Sequence, residues 1–298
     1  MVIDFHTHLF PPALASRVIT NLQGLGGTRA QTDATEAGLL ASMDANGIDL
    51  SVVLPVATSA AQVEKLNDIS VRRAEAAGEA GRPGADRLIW FGAMHPDYGT
   101  ETRGDAVSAG DTKRELARLK AAGVKGIKIH PAYQHRRLDD PRYLRIIDLC
   151  CELGLICVAH AGWDIGVPGE WCSPRMCGRI VREHDFPLLV LAHLGGVKEW
   201  EDALEYVAGS GAWLDTAMSF GKLDPVDDRH FPGDSLDLIS NDLFERIVRK
   251  HGADKILFAT DSPWNDQGTS VRQLRSTALT DAEKEAILSG NALRLLGI

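Results

Sequence analysis

The sequence has no long uninterrupted apolar run. No stretch of its 298 residues approaches the roughly 20 apolar residues that a membrane-spanning helix requires. The opening segment Met1-Val2-Ile3-Asp4 has neither the basic region nor the small-residue cleavage site of a signal peptide. We therefore expect a cytoplasmic protein with no membrane partner.

Positive charge is also scarce. The chain has 32 Lys and Arg residues against 41 Asp and Glu residues, a formal net charge of −9. Nucleic acids and anionic membranes bind basic faces, so this balance excludes them as general partners. It does not exclude a small anionic substrate, because a few local cations can outweigh the overall field.

Cysteines are few and unpaired. There are five, an odd number, and none has the two-residue spacing of a Cys-X-X-Cys pair. We expect reduced, mostly packed thiols rather than disulfides or a cysteine metal site. They are Cys150, Cys151, Cys157, Cys172 and Cys177.

A glycine-rich phosphate loop is missing after the first predicted strand, where the chain reads His6-Thr7-His8-Leu9-Phe10-Pro11-Pro12. A doubly wound nucleotide-binding sheet usually carries such a loop there. What is present is a series of eight short, continuous apolar runs, typical of parallel strands covered on both faces. They are Val2–His8, Leu50–Val56, Leu88–Met94, Val124–His130, Leu155–His160, Leu188–His193, Ala212–Ala217 and Ile256–Asp261.

Helical segments alternate with these strands. They are Thr35–Asn46, Gln62–Ala80, Asp111–Ala122, Pro141–Leu153, Pro174–His184, Lys198–Ala208 and Leu236–Lys250. Capping-box spacing at Thr112 with Glu115 and at Thr280 with Glu283 marks two helix starts. The pattern predicts an α/β protein, a single (β/α)8 TIM barrel spanning residues 1–298 as one domain. The segment from Leu9 to about Asp33 is long for a loop of this fold, and we expect either a lid or a surface insertion with a short helix.

Histidines and aspartates stand at the ends of the predicted strands. Side chains alternate along a strand, so we expect Asp4, His6 and His8 to share one face. Two imidazoles one pleat apart suit two ligands of one metal ion. Asp4, deeper on that face, is predicted to orient a ligand histidine.

Three further strands end in the same way. His160, His193 and Asp261 each close an apolar run, and a buried carboxylate such as Asp261 is costly without a cation or donors beside it. Because the carboxyl ends of barrel strands converge at one mouth, we expect these side chains to meet. His184, His230 and His251 are predicted to lie on the surface or in helices, without a role.

The residues resemble the amidohydrolase superfamily, above all the amidohydrolase-related branch that includes aminocarboxymuconate semialdehyde decarboxylase. The matching stretches run in order along nearly the whole chain: IDFHTH, GIKIHP, VAHAG, LAHLGG, FATDSPW and NALRLLG. The resemblance implies one divalent metal held by His6, His8, His160 and Asp261, with His193 as acid or base and Asp261 as a second proton carrier. Zinc suits these ligands first, and manganese, iron, cobalt and nickel also fit.

The substrate-contacting residues are predicted near the fourth strand. His130 lies at its mouth, and Lys128 lies one pleat deeper. Within the family Lys128 suggests an alternative, a two-metal site bridged by its carboxylated amine. Arg136, in a basic loop, suits an anionic substrate group, unless Asp139 and Asp140 neutralise that loop. Trp264 is a candidate for lining the site.

Three functions remain open. The first hypothesis is a metal-dependent hydrolase, in which metal-activated water attacks a small amide, lactone or ester. The second is a metal-dependent decarboxylase of a small unsaturated or aromatic carboxylate, and the third is a barrel that binds without turnover. His193 and Asp261 argue against the third. An exposed apolar helix face would favour a homodimer.

Overall fold

The computed structural model describes residues 1–77, 85–99, 109–231 and 235–298. Short parallel strands alternate with helices throughout. The strands are β1 (Ile3–Thr7), β2 (Leu50–Val53), β3 (Leu88–Trp90), β4 (Gly92–Ala93), β5 (Gly126–Ile129), β6 (Ile156–Ala159), β7 (Leu189–Leu191), β8 (Trp213–Asp215) and β9 (Ile256–Leu257). β3 and β4 are the two halves of the predicted third strand, so the eight predicted strands are all present.

The strands close into a barrel. β1, β2 and β3 pair in parallel, and β4 to β9 pair in parallel in chain order. β3 continues into β4, and the Phe5 amide donates to the Phe258 carbonyl oxygen at 2.9 Å, which joins β1 to the strand β9. The predicted (β/α)8 barrel is confirmed.

The helices lie between the strands, close to the predicted segments. They are α1 (Pro12–Gly26), α2 (Glu36–Asn46), α3 (Val63–Ala76), α4 (Ala109–Ala121), α5 (Pro141–Leu153), α6 (Pro174–Glu183), α7 (Trp200–Tyr206), α8 (Asn241–His251), α9 (Gln267–Ser276), α10 (Asp281–Glu285) and α11 (Asn291–Leu296). The end of the predicted helix Gln62–Ala80, at positions 78–80, lies outside the described residues. α8 begins later than predicted, at the residue after Ser240, whose hydroxyl caps the helix.

One predicted helix start is confirmed and one is wrong. Thr280 and Glu283 form a reciprocal capping box at the start of α10. Thr112 instead lies inside α4, where its hydroxyl donates to the Tyr98 carbonyl oxygen at 3.1 Å. Glu115 instead accepts from the Asn67 amide at 2.8 Å, a contact between α3 and α4.

Two apolar layers hold the barrel together. The inner one fills the barrel with side chains such as Phe5, Val52, Val158 and Leu257. The outer one lies between the strands and the helices. Burial of both layers is the main stabilising term, since apolar burial contributes roughly 25 cal/mol per Å². Among the helices of the described residues, none combines the length and apolar character that a bilayer-spanning segment requires.

A bulge in β1 changes the predicted pattern of faces. The register pairs Asp4 with Ser51 and Thr7 with Val53, so β1 has one extra residue between them. Asp4 therefore turns towards the helix layer, where Thr260 and Gln267 donate to its carboxylate at 2.6 and 2.8 Å. Asp4 contacts the predicted ligand His6 only through its backbone amide, at 3.3 Å, and Asp215 faces the His6 ring instead, because strict alternation fails at the bulge.

The long segment after β1 contains a helix. α1 covers Pro12–Gly26 and ends at Gly27, which has a left-handed φ of 66°. The Gly27 carbonyl oxygen accepts from the Val226 amide at 2.8 Å, and the Gly24 carbonyl oxygen lies 3.1 Å from Nε2 of His230. These bonds fasten α1 to the loop that follows β8.

Candidate active site

The carboxyl ends of five strands bring the predicted residues to one mouth of the barrel. β1 carries His6, with His8 just after it, and β5 carries Lys128, with His130 just after it. His160 follows β6, His193 follows β7 and Asp261 follows β9. All except His8 are buried.

His6, His8 and Asp261, here called the metal group, converge on one point. The Nε2 atoms of the two histidines are 3.2 Å apart. Oδ1 of Asp261 lies 3.0 Å from Nε2 of His8 and 3.5 Å from Nε2 of His6. Bonds of about 2.1 Å to a tetrahedral zinc ion would separate two ligand atoms by about 3.4 Å, so the spacing fits a metal.

The ring protons of His6 and His8 lie on Nδ1, the nitrogen that points away from the metal group. Nδ1 of His6 lies 2.9 Å from Oδ2 of Asp215, and Nδ1 of His8 lies 2.7 Å from the Leu54 carbonyl oxygen. Each acceptor fixes the proton on Nδ1 and leaves a lone pair on Nε2. This is the arrangement that ligand histidines adopt in metal sites. Two facing lone pairs beside a carboxylate fit a cation.

Asp215 is the residue that organises this part of the site. Its Oδ1 accepts backbone protons from His193 at 2.9 Å and Ala217 at 3.0 Å, while its Oδ2 faces His6. Burial raises the pKa of Asp215, and the neighbouring His193 and Lys128 oppose that rise. Asp215 is not among the site residues predicted from the sequence, although it directly follows the apolar residues Trp213 and Leu214.

Asp261 is suited to be a ligand. Burial by itself raises the pKa of this carboxyl, but the neighbouring His6 and His8 lower it to about 2. It is therefore ionised throughout the neutral range. Its backbone has a left-handed φ of 70°, a strained conformation for a non-glycine residue that often occurs at functional positions.

Lys128 reaches the metal group. Its Nζ lies 3.2 Å from Nε2 of His6. Burial lowers the pKa of Lys128 to about 8, against the attraction of Asp215 and Asp261. The side chain starts one pleat below the mouth, as expected, but its length brings the amine level with the histidines.

His193 faces the same space from β7. Its φ is 60°, again left-handed, and Nδ1 lies 2.9 Å from the Ala217 carbonyl oxygen. The proton is thereby fixed on Nδ1, and the lone pair of Nε2 faces Nδ1 of His160 at 2.9 Å. Burial lowers the pKa of His193, so the ring is neutral at pH 7 and able to accept a proton.

His160 lies beside His193 and also belongs to a second polar group. Its ring stacks on His130 with centroids 4.1 Å apart, and its Nε2 lies 3.9 Å from Oδ2 of Asp164. His130, His160 and Asp164, here called the upper group, have donor atoms within 4.8 Å of one another. His160 thus lies between His193, which its Nδ1 faces, and Asp164, which its Nε2 faces.

The remaining predicted contacts lie further out. Arg136 is paired with Asp97 at 3.1 Å and with Asp140 at 3.4 Å. Arg137 pairs with Asp139 at 3.0 Å. The basic loop is therefore neutralised by its own acidic neighbours. The Trp264 side chain packs partly buried against the outer apolar layer, and its amide donates to the Asp261 carbonyl oxygen.

A parallel barrel with histidines and a carboxylate gathered at the carboxyl ends of its strands defines a class of metal-site TIM barrels. The chain belongs to the amidohydrolase family, whose model matches residues 3–298. Among curated proteins, none matches this sequence.

Solved structures share the fold at low sequence identity. The 5-carboxyvanillate decarboxylase of Novosphingobium aromaticivorans, with manganese and 4-hydroxy-3-methoxy-5-nitrobenzoic acid, is 14% identical with a TM-score of 0.68, over 100% of this chain and 96% of that one. The 2,6-dihydroxybenzoate decarboxylase from Rhizobium is 15% identical, with a TM-score of 0.65 over 99% and 98% of the two chains. A probable 2-pyrone-4,6-dicarboxylic acid hydrolase from Acinetobacter baumannii is 16% identical, with a TM-score of 0.60 over 100% and 99%.

Proposed function

We propose that this protein is a metal-dependent decarboxylase of a small aromatic or unsaturated carboxylate. The observation that carries the proposal is the metal group, in which His6, His8 and Asp261 offer two lone pairs and an ionised carboxylate within 3.5 Å of one another. Two of the similar structures bear decarboxylase names, and one of them holds manganese. Decarboxylation is thus better supported than the hydrolysis that the sequence analysis put first.

The metal ligands in this proposal are His6, His8, His160 and Asp261. His160 is the ligand that must adjust, because its Nδ1 faces His193 at 2.9 Å rather than the metal group. The donor set of imidazoles and a carboxylate suits zinc and manganese alike. When bound, such an ion supplies a Lewis acid that stabilises negative charge on a carboxylate or hydroxyl oxygen.

The chain's own groups complete the reaction. The ammonium of Lys128, buried among neutral imidazoles, attracts an anionic carboxylate. The bond between the carboxylate and its carbon breaks, carbon dioxide leaves, and the electron pair stays on that carbon. His193 takes up a proton from the solvent at Nε2, the lone-pair nitrogen that faces the interior, and passes it to that carbon. Asp261 is too acidic to serve as that donor.

Hydrolysis is the second candidate. It is favoured by the probable pyrone dicarboxylic acid hydrolase among the similar structures and by the lone pair of His193. In this version the neutral imidazole accepts a proton from the attacking water. The two reactions use the same residues. In decarboxylation His193 passes a proton to the substrate carbon, whereas in hydrolysis it accepts a proton from water.

The test combines metal content with product analysis. Tag-free protein, purified without chelators, is assayed by mass spectrometry for metal per chain. It is then incubated with hydroxylated benzoates and with pyrone lactones carrying carboxylates. We expect about one metal ion per chain and release of carbon dioxide from a benzoate. Ring opening of the lactone alone would favour hydrolysis, and protein that takes up no metal would remove both candidates.

The same assay addresses the two-metal alternative. About two ions per chain, with one of them lost in Lys128→Met, would support a carboxylated Lys128 bridge. One ion per chain that survives Lys128→Met would restrict Lys128 to contacting the substrate.

A further inference from the structure

Asp4 is a fully buried carboxylate on β1 that gathers donors from three parts of the chain. The backbone amides of His6 and Thr260 donate to its Oδ1 at 3.3 and 3.0 Å. The Thr260 hydroxyl and the Gln267 side-chain amide donate to its Oδ2 at 2.6 and 2.8 Å. A buried charge is costly unless donors surround it, so these bonds hold the donors in place as firmly as they hold the carboxylate.

The hydroxyl of Thr260 extends this hold to both sides of Asp261. Thr260 directly precedes Asp261, and its Oγ1 donates to Asp4 while it accepts from the amide of Ser262, the residue after Asp261, at 3.1 Å. The backbone on either side of Asp261 is thus tied to one carboxylate, directly at Thr260 and through the hydroxyl at Ser262. His6, the other end of this arrangement, belongs to the metal group itself.

Asp261 has a conformation that needs such a hold. Its left-handed φ of 70° is unfavourable for a non-glycine residue and persists only where the surrounding structure enforces it. In this conformation its amide donates to the His6 carbonyl oxygen at 2.9 Å, and its Oδ1 lies 3.0 Å from Nε2 of His8. Because φ sets the direction of the Cα–Cβ bond, relaxation of this residue would turn its carboxylate away from the metal group.

We propose that Asp4 is a positioning residue of the active site, which acts through Thr260 to hold Asp261 in its left-handed conformation and so aims that carboxylate at the metal. The proposal rests on the proposed function, in which Asp261 is a metal ligand. The role differs from that of Asp215, which faces the ring of His6. Asp4 instead fixes the backbone from which the carboxylate ligand projects.

Four variants separate positioning from simple stabilisation. Asp4→Asn replaces one acceptor oxygen by a donor, and Thr260→Val removes the hydroxyl while Asp4 stays. Thr260→Ser keeps the hydroxyl and should behave as the native protein does. Gln267→Met is the matched control, because it removes a donor to the same oxygen of Asp4 from α9, away from the turn at Asp261. Circular dichroism and thermal unfolding establish that each variant is folded and how much stability it loses.

The first measurement is hydrogen exchange of the Asp261 amide in metal-free protein, read by mass spectrometry with residue-level fragmentation. This amide bonds to the His6 carbonyl oxygen, so none of the substitutions removes its acceptor. We expect exchange about tenfold faster in Asp4→Asn and Thr260→Val, the loss of roughly one hydrogen bond that holds the turn closed. Thr260→Ser and Gln267→Met should match the native protein. Amides of β5 serve as the reference for opening of the whole barrel.

The second measurement is the affinity for zinc, determined by competition with a chromophoric chelator. Asp4→Asn and Thr260→Val should bind zinc about tenfold to a hundredfold more weakly, the usual result of losing a group that orients a ligand. Thr260→Ser and Gln267→Met should bind it with native affinity. Cobalt-loaded protein gives an independent readout, because its absorption spectrum depends on ligand geometry. The spectrum should change in the first two variants only.

Three outcomes would overturn the positioning role. One is native zinc affinity in folded Thr260→Val, and another is faster exchange of the Asp261 amide without any change in zinc affinity. The third is an equal loss of affinity in Gln267→Met, since Asp4 would then matter only through the stability of its surroundings.

The two proposals can fail separately. An active, metal-loaded enzyme whose zinc affinity is the same in Thr260→Val removes the positioning role and leaves the proposed function standing. Native protein that takes up no metal removes the proposed function. The exchange of the Asp261 amide then decides alone whether Asp4 holds that residue.

Discussion

Oδ2 of Asp215 lies 2.9 Å from Nδ1 of His6, although the two residues are 209 positions apart in the chain. The same carboxylate holds the His193 amide through its other oxygen at 2.9 Å. Asp215 therefore sets the protonation of one proposed metal ligand and the position of the proposed acid or base. A single buried carboxylate couples the two functions of the site.

Replacing Asp215 by Asn is predicted to weaken metal binding. The side-chain amide of the asparagine would donate a hydrogen bond to Nδ1 of His6. It would thereby favour the ring form with its proton on Nε2, which has no lone pair there for the metal. Loss of such an orienting partner typically lowers metal affinity tenfold to a hundredfold. Competition with a chromophoric chelator measures the affinity. Asp228→Asn removes an exposed carboxylate and should bind metal as the native protein does. Equal affinity in all three proteins would contradict the role assigned to Asp215.

Replacing His193 by Asn is predicted to abolish most turnover while the metal stays bound. Proton transfer by a positioned side chain contributes about 10²–10⁴-fold to the rate, and His193 lies outside the metal group. The measurement is kcat together with metal content per chain. Unchanged turnover would remove His193 from the mechanism, whereas loss of the metal would make it a ligand.

His251 is predicted to make the protein sensitive to acid. Burial lowers its pKa from 6.5 to about 4, so the folded protein keeps this ring neutral. His251, predicted to lie on the surface or in a helix without a role, is the last residue of α8 and is buried, and its Nε2 lies 3.1 Å from the Ala212 carbonyl oxygen. Below pH 6.5 the unfolded chain binds a proton that the folded chain does not. The free energy of unfolding therefore falls as the pH drops from 6.5 to 4, by about 3 kcal/mol from this group.

Urea unfolding tests this predicted loss of stability. The native protein and His251→Gln are compared at several pH values between 7 and 4.5. The difference between the two proteins isolates His251 from buried carboxyls with raised pKa values, such as Asp4 and Asp164, whose contributions have the opposite sign. The variant should lose less stability on acidification. Parallel pH profiles would show that His251 is not the source.

Gly162 is predicted to be intolerant of any side chain. It has a left-handed φ of 91°, and an added Cβ would lie 2.3 Å from the Val197 nitrogen. Backbone cannot move aside cheaply, so Gly162→Ala should destabilise the protein by about 2–4 kcal/mol. Gly211 has open space around it, and Gly211→Ala should change stability by less than about 0.5 kcal/mol. Thermal and urea unfolding give both values, and equal stabilities would refute the expected clash.

Much of the barrel could be predicted from local patterns. The patterns used were strand-length apolar runs, helix-favouring segments between them and glycines after helix ends. Each depends only on residues that are neighbours in the chain. The same holds for the positions of His6, His160, His193 and Asp261, each of which closes a strand. A side chain at the carboxyl end of a strand can be placed at the mouth from the sequence, because all parallel strands of a barrel end on the same side.

The sequence by itself thus determined the fold class and which residues reach the mouth. Tertiary structure decided which of them contact one another. The bulge in β1 turned Asp4 to the helix layer, and Asp215 took the place beside His6 that alternation had assigned to Asp4. The grouping of His160 and Asp164 with His130 likewise depends on two segments that are separate in the chain. The physical reason is that periodicity fixes the side of a strand only while the register is regular, whereas a contact depends on register, ring orientation and side-chain length together.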